Sequence, residues 1–74
     1  MRYAVVLEKG KTNFSAYVPD LPGCVATGKT RRETLRQISH AIAFHLDGMK
    51  REGLPIPKPS TLTEYVDVTS NRIA

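Results

Sequence analysis

The chain has 74 residues, enough for one small domain, and we expect a single domain over residues 1–74 with an ordered core at about 2–68 and a tail at 69–74. Its 11 basic and 7 acidic residues give a formal charge of +4, a modest excess that hints at an anionic partner. The single cysteine excludes an internal disulfide, and cysteine and histidine are too few for a four-ligand zinc site. No apolar run is long enough to cross a membrane.

A core of this size supplies only about 3–5 kcal/mol and needs further support. With disulfides and structural zinc excluded, that support must come from oligomerisation or a tightly bound partner, and we expect a homo-oligomer. The N-terminal residues contain only a short apolar run closed by charges, which does not have the form of a secretory signal. Together with the lone thiol, this predicts a cytoplasmic protein.

Three short strands are predicted in the first part of the chain. Residues 2–8 alternate, with Tyr3, Val5 and Leu7 on one side, and a polar loop leads to a second strand at 14–18. So short a loop cannot make a parallel crossover, which predicts an antiparallel pair. Residues 24–28 form the third short strand.

The segment between the second and third strands is rich in turn-forming residues. Pro19 ends the second strand because proline cannot donate to a strand ladder. Asp20 can cap the turn with its side chain, and Pro22 and Gly23 reverse the chain. A lone cysteine in a short strand is usually a small buried hydrophobe, so we interpret Cys24 and this segment as a structural corner.

The strongest local pattern is that of an amphipathic helix. Thr30 and Glu33 have the spacing of a capping box, in which each side chain bonds the backbone amide of the other residue. Gly53 is a natural stop. The predicted apolar stripe then comprises Leu35, Ile38, Ile42, Leu46 and Met49. Phe44 lies off this stripe, either as a lateral core contact or as an association site.

The proline-rich residues 54–60 should run extended as a stiff connector, and residues 62–68 are predicted to form a last strand. The order strand, strand, strand, helix, strand predicts an α+β fold, βββαβ, with one helix packed on a small, mainly antiparallel sheet. The other face of that sheet needs a cover. Tyr3, Tyr17 and Tyr65 can share this face if the registers agree, which would make it a plausible association surface.

The residues give little support for catalysis, a cofactor or a metal. Cys24 would need a base such as His45, and no third, orienting residue is evident. His40 and His45 are five positions apart on the helix, which points them too far apart to share a metal. The run from Gly23 to Thr30 has the spacing of a phosphate-binding loop, but it alternates like a strand and lacks the α/β context of that motif. The carboxylates are scattered. We therefore predict no catalytic, cofactor-binding or metal-binding residues.

A basic cluster surrounds the predicted helix start, where cations oppose the helix dipole. It is either a solvated surface or a surface for an anionic partner, an acidic protein or a nucleic acid. Its members are Lys29, Arg31, Arg32 and Arg36.

Two runs of the sequence together resemble one family. The first is Phe14-Ser-Ala-Tyr-Val-Pro-Asp-Leu-Pro-Gly-Cys24, and the second, after the capped helix, is Gly53-Leu-Pro-Ile-Pro-Lys-Pro-Ser60. The chain resembles the N-terminal, toxin-binding domain of HicB-family antitoxins over about residues 3–68. The resemblance implies a partial ribonuclease-H-like fold of βββαβ order without nuclease carboxylates. It also implies dimers or tetramers.

HicB proteins neutralise HicA, a small mRNA-cleaving toxin, by covering its active surface, and the resemblance implies the same role here. Full antitoxins of this family usually carry a C-terminal DNA-binding domain. This chain ends at Ala74, so we expect a stand-alone toxin-binding domain. We also expect that it is not an enzyme. The alternative is an orphan HicB-like domain that binds nucleic acid through its basic cluster. A small hydrolase that uses Cys24 is a third hypothesis. The predicted partner interface comprises Tyr3, Tyr17, Phe44, Tyr65, Lys29, Arg31, Arg32 and Arg36.

Overall fold

A computed structural model describes residues 1–69 of the chain. Three strands and one helix follow in the order β1 (Val6–Lys9), β2 (Phe14–Tyr17), β3 (Val25–Gly28) and α1 (Arg31–Arg51). The strands form one antiparallel sheet in the order β1-β2-β3, and α1 packs against β2 and β3. This confirms the predicted α+β fold with one helix on a small antiparallel sheet.

The two faces of the sheet differ in what covers them. Leu7, Ala16 and Ala26 are paired across the three strands and face the helix. Their sequence neighbours Val6, Tyr17 and Val25 form the next row, which points to the opposite side because side chains alternate along a strand. Tyr17 and Val25 are 42% and 64% exposed, so this side of the sheet, which we call the open face, is uncovered.

The core is small and lies between the sheet and the helix. Leu21 and Ile38 are among its most completely buried side chains, and Thr34, at 0% exposure, is a buried polar residue beside them. The Thr34 hydroxyl donates to the Thr30 carbonyl at 2.7 Å, which satisfies it. The buried apolar residues are Ala16, Val18, Leu21, Cys24 and Ile38.

The helix has the predicted cap, with one difference. The Thr30 hydroxyl accepts from the Glu33 amide at 3.0 Å, as expected. The Glu33 carboxylate, however, accepts from the amide of Lys29 at 2.9 Å rather than from that of Thr30. The helix ends as predicted, because Gly53 takes the positive φ of 70° that terminates a helix, and its amide bonds the Lys50 carbonyl.

The buried stripe of the helix is shifted from the predicted one. Leu35 is 41% exposed, whereas Thr34 is fully buried. Thr34 fits because β3 approaches the helix at Gly28, where an added Cβ would lie 2.6 Å from the Thr34 hydroxyl oxygen. A larger side chain at either position would separate the strand from the helix. Ile38, Ile42 and Leu46 face the core as predicted.

The predicted last strand at residues 62–68 does not form in the isolated chain. Residues 62–69 carry no strand pairing, and all of them are exposed. Of the predicted βββαβ order, the structure therefore contains βββα. The alternating pattern was sufficient to predict an extended backbone, but not the hydrogen-bonding partner that makes such a backbone a strand. Residues 70–74, within the predicted tail, lie outside the described residues.

Candidate partner-binding surface

The corner between β2 and β3 is built as the sequence indicated, from backbone bonds. The Leu21 amide donates to the Val18 carbonyl and the Cys24 amide to the Leu21 carbonyl, each at 3.0 Å. Gly23 has φ of 85°, a conformation that favours glycine. Leu21 and Cys24 are thereby turned into the core. The corner is rigid and presents the side chain of Asp20 outward.

Asp20 has a different role from the predicted one. Its carboxylate does not cap its own turn but accepts hydrogen bonds from the segment that follows the helix. The amide and hydroxyl of Ser60 lie at 2.9 and 3.1 Å, and those of Thr61 at 3.0 and 2.7 Å. The hydrogen bonds from Thr61 and then Ser60 lower the pKa of Asp20 from 3.8 to about 2. We call this set of contacts the Asp20 clamp.

A second contact fixes the same segment upstream of the clamp. The Tyr3 hydroxyl donates to the Pro57 carbonyl, and the Tyr3 ring packs on the core. Tyr3 is therefore a brace on the helix side of the sheet rather than part of the open face. The prediction that Tyr3, Tyr17 and Tyr65 share one face is wrong, because Tyr17 lies on the open face and Tyr65 lies beyond the clamp.

Residues 62–69, which we call the arm, leave the clamp with their apolar side chains in solvent. Leu62, Tyr65, Val66 and Val68 are 89%, 103%, 80% and 69% exposed. Large exposed apolar side chains concentrated in one short segment are typical of interaction sites. The arm also carries Glu64 and Asp67 and no basic residue, so it is acidic in a chain of net charge +4.

The arm passes beside the open edge of β1 without pairing to it. Thr63, Glu64 and Tyr65 line a groove together with residues 5–7 and Arg31. Within residues 1–69, β1 pairs with β2 alone and the arm pairs with no strand, so both sides of this groove have unpaired backbone groups. An extended segment and an open strand edge are the two elements that β-strand addition uses.

One member of the basic cluster, Arg31, lines this groove. Lys29, Arg31, Arg32 and Arg36 are all exposed. Within residues 1–69, Arg51 forms a salt bridge with Asp47, and no salt bridge involves the basic cluster. The N-terminal end of α1 adds its positive dipole at the same place. The structure thus brings Arg31 next to the arm, whereas Phe44 belongs to a separate surface.

Phe44 lies in the second half of the helix and is 82% exposed. Of the two alternatives from the sequence, the lateral core contact is excluded. The ring borders a groove with Pro22, Met49 and Leu54. Its exposure is compatible with an association site.

The residues considered for catalysis are not assembled into a site. Cys24 is a buried core residue, and burial raises the pKa of its thiol, which disfavours the nucleophilic thiolate. The run with phosphate-loop spacing contains strand β3, which pairs with β2. Within the described residues, no three potential metal ligands come together. The helix found there is not apolar enough along its length to cross a membrane.

The fold and the surface define a class of protein: a small α+β domain whose exposed features are an acidic arm with apolar side chains, an open sheet face and a basic helix start. A family model described as the HicB-like antitoxin of bacterial toxin-antitoxin systems matches residues 3–72. The chain belongs to this family.

Individual relatives agree with this assignment. Antitoxin HicB 2 of Photorhabdus laumondii is 33% identical over 72 residues, which cover 96% of this chain and 52% of that protein. A UPF0150 protein of Thermoplasma acidophilum is 36% identical over 59 residues, which cover 78% of this chain and 86% of that protein. One chain of a HicA3 and HicB3 toxin-antitoxin complex superimposes with a TM-score of 0.69 at 30% identity, covering 80% of this chain and 69% of that chain.

The relatives differ in length relative to this chain. It spans about half of Antitoxin HicB 2, and also 50% of a protein of Haemophilus phage HP1 to which it is 33% identical over 67 residues. It spans most of the Thermoplasma protein. The region matched by this chain is therefore about half of each longer relative and most of the shorter one.

Proposed function

We propose that this protein is a non-enzymatic antitoxin that acts in the cytoplasm. It binds a HicA-type, mRNA-cleaving toxin and covers the active surface of that toxin. The observation that carries the proposal is the arm, whose four large apolar side chains have no cover within the described chain of a HicB-like antitoxin. The solved relative that contains a HicA3 and HicB3 complex supports a toxin of this class as the partner.

The chain has enough surface to inhibit a toxin by covering its active site. A standard protein interface removes roughly 800 Å² from each partner. The accessible surface of this chain is 6394 Å², so an interface of that size uses only a small part of it. The arm and the adjoining β1 edge offer backbone groups for strand addition and apolar anchors such as Tyr65 and Val66. Glu64 and Asp67 add negative charge, which suits a basic, RNA-binding toxin surface.

The test measures cleavage of an mRNA substrate by a purified HicA-type toxin, with increasing amounts of this protein. Wild-type protein should suppress cleavage at about one equivalent. Tyr65→Ser with Val66→Ser should weaken suppression by about tenfold or more, because truncated anchors at an interface centre have effects of this size. The exposed helix residue Gln37, changed to Ser, is the matched control and should leave suppression unchanged.

One result would refute neutralisation itself, and another would refute the role of the arm in it. Cleavage that continues at saturating wild-type protein would exclude neutralisation of that toxin. Full suppression by the arm variant would leave neutralisation intact but exclude the arm as its contact. Circular dichroism of the variants separates lost binding from lost folding, since the substituted side chains contact nothing in the core.

A second candidate function is favoured by the basic cluster, which forms no salt bridge within residues 1–69. Four exposed cations at a helix N-terminus form an electrostatic surface for a polyanion such as RNA. A salt-sensitive mobility shift that is lost on Arg31→Glu with Arg32→Glu would support it. The matched control is Lys9→Glu with Lys11→Glu, which makes the same change in net charge at the β1–β2 loop. An equal loss in both double variants would indicate general charge attraction instead.

A further inference from the structure

The exposed Phe44 has a neighbour that the chain itself does not explain. Gly48 lies one turn further along the same face of α1, in the interior of the helix. Glycine is unfavourable there relative to alanine because it gains backbone freedom on unfolding. Elsewhere in this chain a close approach accounts for a glycine, as at Gly28 against Thr34. At Gly48, apart from the adjacent residues and the nearby helix backbone, no heavy atom of the described residues lies within 4 Å of the position that a Cβ would take.

The missing side chain leaves a hollow beside a projecting ring. Phe44 and Gly48 border one groove, whose remaining wall is formed by Pro22, His45, Met49, Glu52 and Leu54. We call this surface the Phe44 patch. The aromatic ring of one copy can fill the hollow beside the ring of another copy. Such a surface is self-complementary, which is the requirement for a twofold symmetric interface.

We propose that the Phe44 patch binds a second copy of this chain. Two α1 helices cross antiparallel, so that the Phe44 ring packs over Gly48 of the partner subunit and the partner's Phe44 packs over Gly48. The glycine permits the helices to approach closely. The proposal is independent of the toxin-binding arm, which is a separate surface.

The charges around the patch favour this occupant. Moving one turn outward on both helices in this register places His40 opposite the partner's Glu52. In the same register His45 lies opposite the partner's Asp47, which also bonds Arg51 at 3.1 Å. The charged residues at this end of the helix, two acidic and two basic, balance, so two copies of a chain of net charge +4 can meet here without strong repulsion. They are Asp47, Lys50, Arg51 and Glu52.

The small core supplies the reason for association. Five apolar residues are fully buried, and a domain of this size gains support by oligomerisation. A single helix pair is a small interface, so we expect a weak dimer with a dissociation constant in the micromolar range.

Sedimentation equilibrium over a wide range of protein concentrations tests the proposal. The wild-type mass should rise with concentration from the 8.2 kDa of the chain to twice that value. Gly48→Gln should raise the dimer dissociation constant by about tenfold or more, because the new side chain fills the hollow. The variant is designed to keep its fold, since the space is open within the chain and glutamine favours helix. Phe44→Ser should have the same effect by removing the ring.

The matched control is Ser39→Gln, which adds the same side chain at an exposed helix position about 180° away around the axis. It should change the dissociation constant less than about twofold. A wild-type protein that stays at 8.2 kDa at all concentrations would overturn the proposal. So would dimerisation of Gly48→Gln equal to that of wild type. If the wild-type protein is monomeric and Gly48→Gln no longer binds the toxin, the patch is a toxin contact instead. That result would also overturn the proposal.

Discussion

Gly28→Ala is the substitution for which the structure makes the sharpest prediction. An added Cβ would lie 2.6 Å from the Thr34 hydroxyl oxygen, 2.8 Å from the Thr34 amide nitrogen and 3.1 Å from the Thr34 Cα. Ordinary contacts begin at 3.4 Å. Rotation of the Thr34 side chain cannot relieve the two backbone contacts. The amide is itself held at 2.9 Å by the Thr30 carbonyl, so relief requires a shift of the first turn of α1 away from β3.

The size of the effect follows from two opposing contributions. Overpacking against a backbone atom costs about 3 kcal/mol, the upper part of the usual range. Replacing glycine restricts the unfolded chain, which stabilises the protein by up to about 1 kcal/mol. The net loss of about 2 kcal/mol is roughly half of the stability that a core of this size supplies. With a urea dependence of about 1 kcal/mol per molar, the unfolding midpoint should fall by about 2 M.

Urea unfolding followed by circular dichroism at a fixed protein concentration measures this shift. Thr27→Ala is the control, because it changes the adjacent residue of β3 on the exposed side of the sheet. It should move the free energy of unfolding by less than about 0.5 kcal/mol. If Gly28→Ala unfolds at the same midpoint as the control, then β3 and α1 are not in close contact, and the packing described above is wrong.

Three further predictions concern the clamp, the thiol and the helix cap. Asp20→Asn should release Ser60 and Thr61, seen as faster hydrogen exchange of their amides. Because the pKa of Asp20 is lowered to about 2, the clamp should persist above pH 3.8 and be lost as the pH falls through 2, which the amide chemical shifts report; an unchanged spectrum would contradict it. Cys24 should react slowly with thiol reagents in the native state and rapidly in urea, since burial raises the pKa of its thiol; equal rates would show that it is accessible. Thr30→Ala should destabilise the protein by about 1 kcal/mol in urea unfolding through loss of the N-cap bond, whereas Thr30→Ser should retain it.

Local patterns in the sequence predicted the elements that depend on local physics. Alternation located the three strands to within a few residues, and the capping box and Gly53 located both ends of the helix. Phe44 was recognised as off the apolar stripe by helical phase alone. The burial of Thr34 in place of Leu35 could not be predicted, because it depends on how closely β3 approaches the helix. The relevant signal was present in Gly28, but its meaning required the partner element.

The placement of the arm shows why the rest could not be predicted. Its residues alternate as those of β2 do, yet β2 pairs with a strand on each side, whereas within residues 1–69 the arm pairs with none. Whether an extended segment becomes a strand depends on a partner edge, and the partner of the arm need not be in the same chain. The same reasoning applies to Tyr3 and Tyr17, which the sequence grouped and the register separates.

The two runs that carry the resemblance to the family are physically joined in the fold. Asp20 belongs to the first run, and its carboxylate accepts all four hydrogen bonds of the clamp from Ser60, the last residue of the second run, and from Thr61. The corner between β2 and β3 therefore sets where the arm begins. Since Tyr3 fixes the same connector through Pro57, the arm starts from a defined point beside β1. A defined origin lowers the entropic cost of ordering the arm on a partner, so under the proposed function the clamp should contribute to toxin affinity.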